Sequence, residues 1–276
     1  MTRYNVVVSD KVFPSVDIER ELLAGIDAEL VVASARYGIG VDNIDLDAAR
    51  RAGIVVTNVP DYSVEEVATH ALALILASVR KIARADDSIR HGAWGVDQFR
   101  PIARLSTLMV GLVGYGRIAR RIAAPLEALG AEIVAHDPYL EQGPDRPPLL
   151  ELDDLLARAD IVSLHLPLTA QTRGLIGEAA LARMKPGAIL VNTSRGPLVD
   201  LAALADALRS GRLGAAGLDV FDTEPLDPAR IEGVPNLIAT PHMAYYSEQA
   251  LEESQRKAVT QVIKVLTGVP PDYGVN

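Results

Sequence analysis

The chain has 276 residues, enough for two domains, and its 49% apolar and 23% charged composition is that of an ordinary soluble globular protein. It has no cysteine, which excludes disulfides, thiolate catalysis and cysteine-ligated metal sites. A formal net charge of −9 argues against general nucleic-acid binding, because an acidic surface repels phosphate.

The opening MTRYNVVVSD has no signal-peptide plan, since Asp10 and Lys11 interrupt any apolar run, and a cytoplasmic location is expected. Short β-branched runs then alternate with helical stretches, which predicts an α/β fold with a parallel sheet. Residues 5–9 read as a strand, 16–24 as a helix closed by Gly25, and 29–33 as a second strand. A loop over 36–43 leads to a short helix over 46–52, ended by Gly53, and a strand over 54–58. One long helix is expected from 64 to about 91, with Ser63 at its cap and Glu66 three residues on, the pattern of a capping box. Within it, 71–79 is the longest apolar run; it falls short of the roughly 18 residues of a membrane span and suits a buried helix.

A stronger βαβ series begins with a strand over 108–113 and a helix over 117–129, which Pro125 should bend and Gly130 should close. A strand over 133–135, a Pro-rich loop over 143–148, a helix over 152–158 and a strand over 161–165 follow. Then come a helix over 178–183, a strand over 188–192, a helix over 201–210, strands over 215–219 and 237–240, and a long helix over 247–266. There is no internal repeat.

The turn after the strand over 108–113 reads Gly114-Tyr115-Gly116-Arg117-Ile118-Ala119, a G-x-G-x-x-A pattern. Gly114 permits a tight turn, Gly116 lets backbone approach a pyrophosphate, and Ala119 allows close helix–strand packing; the helix start adds partial positive charge. Alone this motif is weak, since glycine between strand and helix is often only a turn. Asp137 strengthens it, lying about 20 residues on, at the end of the next strand, where it can bond ribose hydroxyls. A carboxylate there repels a 2′-phosphate and favours NAD over NADP. The plain alternative for Asp137 is a turn residue before Pro138.

More specific motifs follow: His165-Leu-Pro-Leu-Thr169, the run from Met184 through Asn192-Thr-Ser-Arg-Gly196 to Asp200, Gly217-Leu-Asp-Val-Phe-Asp-Thr-Glu-Pro225, and Thr240-Pro-His242. With the segment from Arg36 to Asn43, and in this order, they resemble the D-2-hydroxyacid dehydrogenase family over about residues 36 to 276. That family includes D-3-phosphoglycerate dehydrogenase and the C-terminal binding proteins. The stretch from Tyr245 to Ala250, with Val64–Glu66 and Asp137–Leu140, is most similar to the C-terminal binding protein branch.

The resemblance implies a Rossmann-type doubly wound parallel sheet plus a smaller flavodoxin-like α/β domain. It also implies NAD-dependent interconversion of a small D-2-hydroxy acid and its 2-oxo acid by hydride transfer. Arg195 would hold the substrate carboxylate and polarise its carbonyl, which suits a planar two-pronged donor. His242 would be the acid–base group, and Glu224 would bond it and favour its charged form. The backbone of Ile39 and Gly40 would complete the carboxylate site, and Tyr245 would face the substrate. Cofactor contacts would come from Gly114, Tyr115, Gly116, Arg117, Ile118 and Asp137, from Leu166, Pro167 and Thr172, and from Thr193, Ser194, Asp219, His242 and Ala244. No metal site is implied. Without the motif context, Arg195 would read as a surface residue, Glu224 as a turn acid and His242 as a loop histidine. His70 reads as a packing or capping residue of its helix, although the resemblance implies a position near the cofactor; His91 and His136 read as structural, and Trp94 as a packing or dimer anchor.

The N-terminal region is short for this family. One to two βα units are missing before Arg36, with the junction near 32–35. The expected plan is a discontinuous substrate domain over 1–78 and 248–276 and an NAD-binding domain over 79–247, with the site in the cleft between them. A homodimer through the coenzyme domain is implied. Two other functions fit the same residues: an NAD(H)-sensing module like a C-terminal binding protein, or an NAD-binding remnant without turnover.

Overall fold

The computed structural model describes residues 4–8, 15–26, 28–32, 40–41 and 44–276. They divide into two compact units, one of residues 1–63 and 245–276, the other of residues 64–244.

In the smaller unit β1 (Tyr4–Val8) pairs in parallel with β2 (Ala28–Val32), Val6 opposite Leu30. The junction expected near 32–35 lies, beyond Val32, outside the described residues. The helix α1 (Asp17–Leu23) packs on a long C-terminal helix over 248–266 through Leu23, Ile26, Val259 and Ile263. Between these helices Glu19 is fully buried, and both its carboxylate oxygens accept from Gln255 Nε2 at 3.0 Å. A buried carboxylate persists only with such donors. The next helix, α2 (Leu46–Arg51), is capped by Asp45, which accepts from the Ala48 amide at 2.8 Å. The strand expected over 54–58 is instead a single antiparallel bridge, Thr57 to Gly274. Ile54 and Val55 are 58% and 50% exposed, so this segment has no buried face to extend a ladder.

The larger unit opens with α3 (Val64–Arg80). The single helix expected to reach 91 breaks at Lys81, which adopts φ +54°, and resumes as α4 (Ile82–Arg90). Burial explains the break. α3 contributes core residues down to Val79, whereas α4 contributes none, so packing does not hold the two in line. The expected capping box does not use the Ser63 hydroxyl, which is buried with no hydrogen-bond partner.

There follow β3 (Met109–Val113), α5 (Arg117–Ala128), β4 (Glu132–His136), α6 (Leu152–Arg158), β5 (Ile161–Leu164), α7 (Glu178–Arg183) and β6 (Ala188–Asn192). The series ends with α8 (Leu201–Arg209), β7 (Leu213–Leu218) and β8 (Leu237–Ala239), and the helix over 248–266 is α9. The six strands of this unit form one parallel sheet in the order β4-β3-β5-β6-β7-β8. The near-continuous burial of β3, β5, β6 and β7 is what a parallel sheet covered on both faces requires. One face is covered by α6, α7 and α8 through Leu155, Leu181 and Leu204; the other by α3 and α5 through Ala71, Ile75 and Ile122. The chain goes from β3 to β4 on one side and returns past β3 to β5 on the other. That reversal leaves a crevice at the carboxyl ends of β3 and β5, where such sheets bind ligands.

Because α3 packs on α5, β6 and β7, it belongs to the larger unit. The boundaries expected at 78/79 and 247/248 therefore fall at 63/64 and 244/245. The crossing of α3 over β7 depends on Gly217, where an added Cβ would sit 3.0 Å from Leu74 Cβ. Gly217→Ala is expected to cost about 1–3 kcal/mol by overpacking, seen as a lower urea midpoint at unchanged slope.

Candidate active site

The motif residues of the larger unit gather at the carboxyl ends of its strands, each in the loop following β3, β4, β5, β6, β7 or β8. At the switch point Gly114 has φ +86°, and a Cβ on it would lie 2.4 Å from the His165 carbonyl oxygen. No side chain caps α5, and a Cβ on its N-cap Gly116 would meet nothing within 4 Å, so the helix start offers free amides to open space. Asp137 holds this turn. One carboxylate oxygen accepts from the Tyr115 amide and the other from the Tyr139 amide, both at 3.0 Å. Each oxygen keeps a second lone pair for a ribose hydroxyl. Arg117 and Ile118 form the first turn of α5, and Arg120 lies over the Tyr115 ring at 5.7 Å. Thr193, after β6, is buried with its hydroxyl unpartnered. An uncapped helix start, a crevice, an acid at the next strand end and an unfilled hydroxyl fit a dinucleotide.

The loop after β5 closes on itself. Thr172 Oγ1 donates to the Pro167 carbonyl and accepts from the Thr169 amide, both at 2.8 Å, with Leu166 at its start.

Arg195 is set by its neighbours. The buried Asn192 side chain accepts from the Ser194 amide at 3.0 Å and donates to the Arg195 carbonyl at 2.8 Å. Ser194 Oγ donates to the Leu164 carbonyl at 2.7 Å. The next residue must be glycine. A Cβ on Gly196 would fall 1.8 Å from the Phe221 carbonyl carbon, so the backbones after β6 and β7 lie directly against each other.

Glu224 and His242 are brought together. His242 Nδ1 lies 2.7 Å from Glu224 Oε2, while Glu224 Oε1 accepts from the Phe221 amide at 2.9 Å. His242 has φ +51°, and its amide donates to the carbonyls of Asp219 and Thr240. Asp219, fully buried, accepts from Thr240 Oγ1 at 2.6 Å and from the amides of Met243 and Ala244 at 2.9 Å. Two site residues expected from the sequence, Gly40 and Tyr245, fall in the smaller unit; Tyr245 makes an edge contact with Tyr246 there. Ile39 lies outside the described residues.

The sequence reading gave no role to three residues that hold this arrangement, Asn192, Gly196 and Thr240, and read His70 as a packing or capping residue. Asn192, Gly196 and Thr240 stand inside the family-like motifs, where an amide side chain at a strand end, a glycine after Arg195 and a hydroxyl two residues before His242 were available signals. The bond of His70 to Thr240 was not legible, because the two are 170 residues apart. Among the described residues no group of three His, Asp or Glu is placed to hold a metal ion, and no helix is long and apolar enough to cross a membrane.

Residues 72–244 match the family model for the D-isomer specific 2-hydroxyacid dehydrogenase NAD binding domain. The D-3-phosphoglycerate dehydrogenase of Mycobacterium leprae is 43% identical over 254 residues, which are 88% of this chain and 48% of that protein. The TT0316 protein from Thermus thermophilus superposes with a TM-score of 0.86 at 34% identity, covering 99% of this chain and 100% of that one. A D-lactate dehydrogenase from Aquifex aeolicus, crystallised with NAD and lactic acid, superposes with a TM-score of 0.85 at 28% identity, covering 96% of each chain. The chain belongs to the D-isomer specific 2-hydroxyacid dehydrogenase family, and its larger unit carries the family's NAD-binding domain. It spans about half the length of the curated relatives it matches.

His165 couples this site to acid. Its Nε2 lies 2.9 Å from Ser163 Oγ, its Nδ1 is buried without a partner, and burial lowers its pKa from 6.5 to about 4. The unfolded chain takes up this proton near pH 6.5 and the native chain does so only near 4. The stabilisation is therefore complete above pH 6.5 and lost as pH falls towards 4. His165→Asn is expected to flatten the denaturant-measured stability profile across that window by about 2–3 kcal/mol.

Proposed function

We propose that the chain catalyses the NAD-dependent interconversion of a small D-2-hydroxy acid and its 2-oxo acid, with His242 as the acid–base group. The 2.7 Å contact between His242 Nδ1 and Glu224 carries this reading. A histidine so bonded keeps its Nδ1 proton on the carboxylate and leaves Nε2 to exchange a proton with substrate. Glu224 stabilises the imidazolium that results on oxidation, and its second oxygen, tied to the Phe221 amide, fixes the orientation. When bound, the nicotinamide cofactor supplies or accepts the hydride. Arg195 binds the substrate carboxylate with its fork of donors and draws electron density from the carbonyl oxygen that His242 protonates. Gly40 and Tyr245 are proposed to complete the substrate site, with Ile39. Thr193, Ser194, Asp219 and Ala244 are proposed to shape the nicotinamide end.

D-3-phosphoglycerate, in the name of the mycobacterial relative, is the first substrate candidate. Arg195 accepts any 2-oxo carboxylate, so the test is NADH oxidation against a panel: 3-phosphohydroxypyruvate, hydroxypyruvate, glyoxylate, pyruvate and bulkier homologues. Turnover is expected with at least one. His242→Gln should lower kcat about 100-fold or more, and Arg195→Ala should lower kcat/KM by a similar factor. NADH binding without reduction of any acid would overturn the enzyme reading in favour of an NAD-sensing role.

The homodimer implied by the resemblance is proposed to form through the segment after α3. Ile82, Ile89, Trp94 and Val96 are all exposed there, Trp94 to 90%. Four exposed apolar side chains within 15 residues support this reading. Sedimentation should show a dimer, and Trp94→Ala should weaken it by about tenfold or more.

A further inference from the structure

We propose that His70, on α3, is a positioning residue for His242, an inference that rests on His242 being the acid–base group. Its Nε2 lies 3.0 Å from Thr240 Oγ1 and 3.6 Å from Asp219 Oδ1. The Thr240 hydroxyl has one proton, and at 2.6 Å from Asp219 Oδ1 it gives that proton to the carboxylate. His70 must then be the donor to Thr240, which selects a ring carrying a proton on Nε2. The chain of bonds is directional: His70 to Thr240, Thr240 to Asp219, and Asp219 accepting the amides of Met243 and Ala244. Those amides and Thr240 flank His242 on both sides. The turn that presents the imidazole to Glu224 is therefore closed from beneath by a residue on a different layer of the fold.

The packing explains why His70 reaches this point. Leu74 rests on Gly217 of β7, so closely that a Cβ there would lie 3.0 Å from the Leu74 Cβ. One helical turn back along α3 is His70, and two residues on along β7 is Asp219. The two steps are nearly equal, about 5.4 Å per helical turn and about 6.6 Å for two strand residues. The glycine contact thus registers the helix against the strand and sets the imidazole over the carboxylate. Without the His70 donor, the Thr240 hydroxyl is free to turn its proton away from Asp219, and the His242 turn loses one of its ties.

The test compares His70→Leu, which removes the donor, with His70→Gln, which restores one near the Nε2 position, in the full chain. Amide hydrogen exchange reads the turn without turnover. In His70→Leu the Met243 and Ala244 amides should exchange about three- to tenfold faster, with β3, β5 and β6 unchanged. His70→Gln should recover most of the protection. In NADH-dependent reduction, kcat should fall about tenfold in the leucine variant while the KM for the oxo acid holds, and recover in the glutamine variant. Exchange at Met243 and Ala244 within twofold of wild type in His70→Leu overturns the inference. So does a glutamine variant as impaired as leucine with the same loss of melting temperature, which would mean only packing. Wild-type chain that reduces no oxo acid overturns the enzyme reading instead, and the exchange comparison still decides the role of His70.

Discussion

The carboxylate of Asp219 lies fully buried at the end of β7, and the turn carrying His242 closes upon it. A charge in that position would be costly alone. It is tolerated because a hydroxyl and two amides point at it within 2.9 Å. Those donors all belong to the chain between Thr240 and Ala244, so solvation of the acid and shaping of the turn are one event. The left-handed conformation of His242 is unfavourable for a residue with a side chain. The bonds to Asp219, including that from the His242 amide to its carbonyl, offset this.

Around this anchor the strand ends press together as bare backbone. Gly114 meets the carbonyl of His165, and Gly196 meets the carbonyl of Phe221. Side chains at such contacts would separate neighbouring loops by the width of a methyl group or more. Glycine brings the loop with Arg195 onto the loop with Glu224, and Asn192 then fills the remaining valences of the first. Arg195, Glu224 and His242 thus stand at strand ends, where neighbouring structure holds side chains more closely than a long loop would.

Much of this was legible in the chain before folding. The strand over 188–192 and the helices over 152–158 and 178–183 were bounded to the residue, because burial alternates sharply with turn chemistry there. The pairing of Glu224 with His242 was what the family resemblance implied, and the two groups lie 2.7 Å apart. Other features were not legible, for definite reasons. The break at Lys81 depends on where the core ends, a tertiary fact that local helix propensity does not encode. The segment over 54–58 is β-branched enough to read as a strand, yet among the described residues it pairs by one bridge, Thr57 to Gly274. The Ser63 hydroxyl matched a capping pattern but was left without a partner. His70 was read as a helix residue because its meaning lies in a strand end distant in sequence.

The chain has a single tryptophan, and Trp94 is 90% exposed. In the single chain its ultraviolet emission therefore comes from one indole in water, on the segment between α4 and β3. Melting the sheet would change the surroundings of that indole little, so intrinsic tryptophan fluorescence is a poor thermometer for this fold. It is a sensitive gauge of anything that covers the segment, since a docked surface would dry the ring and move its emission to the blue. For this molecule the optical signal most often used to follow folding would follow a docking partner instead.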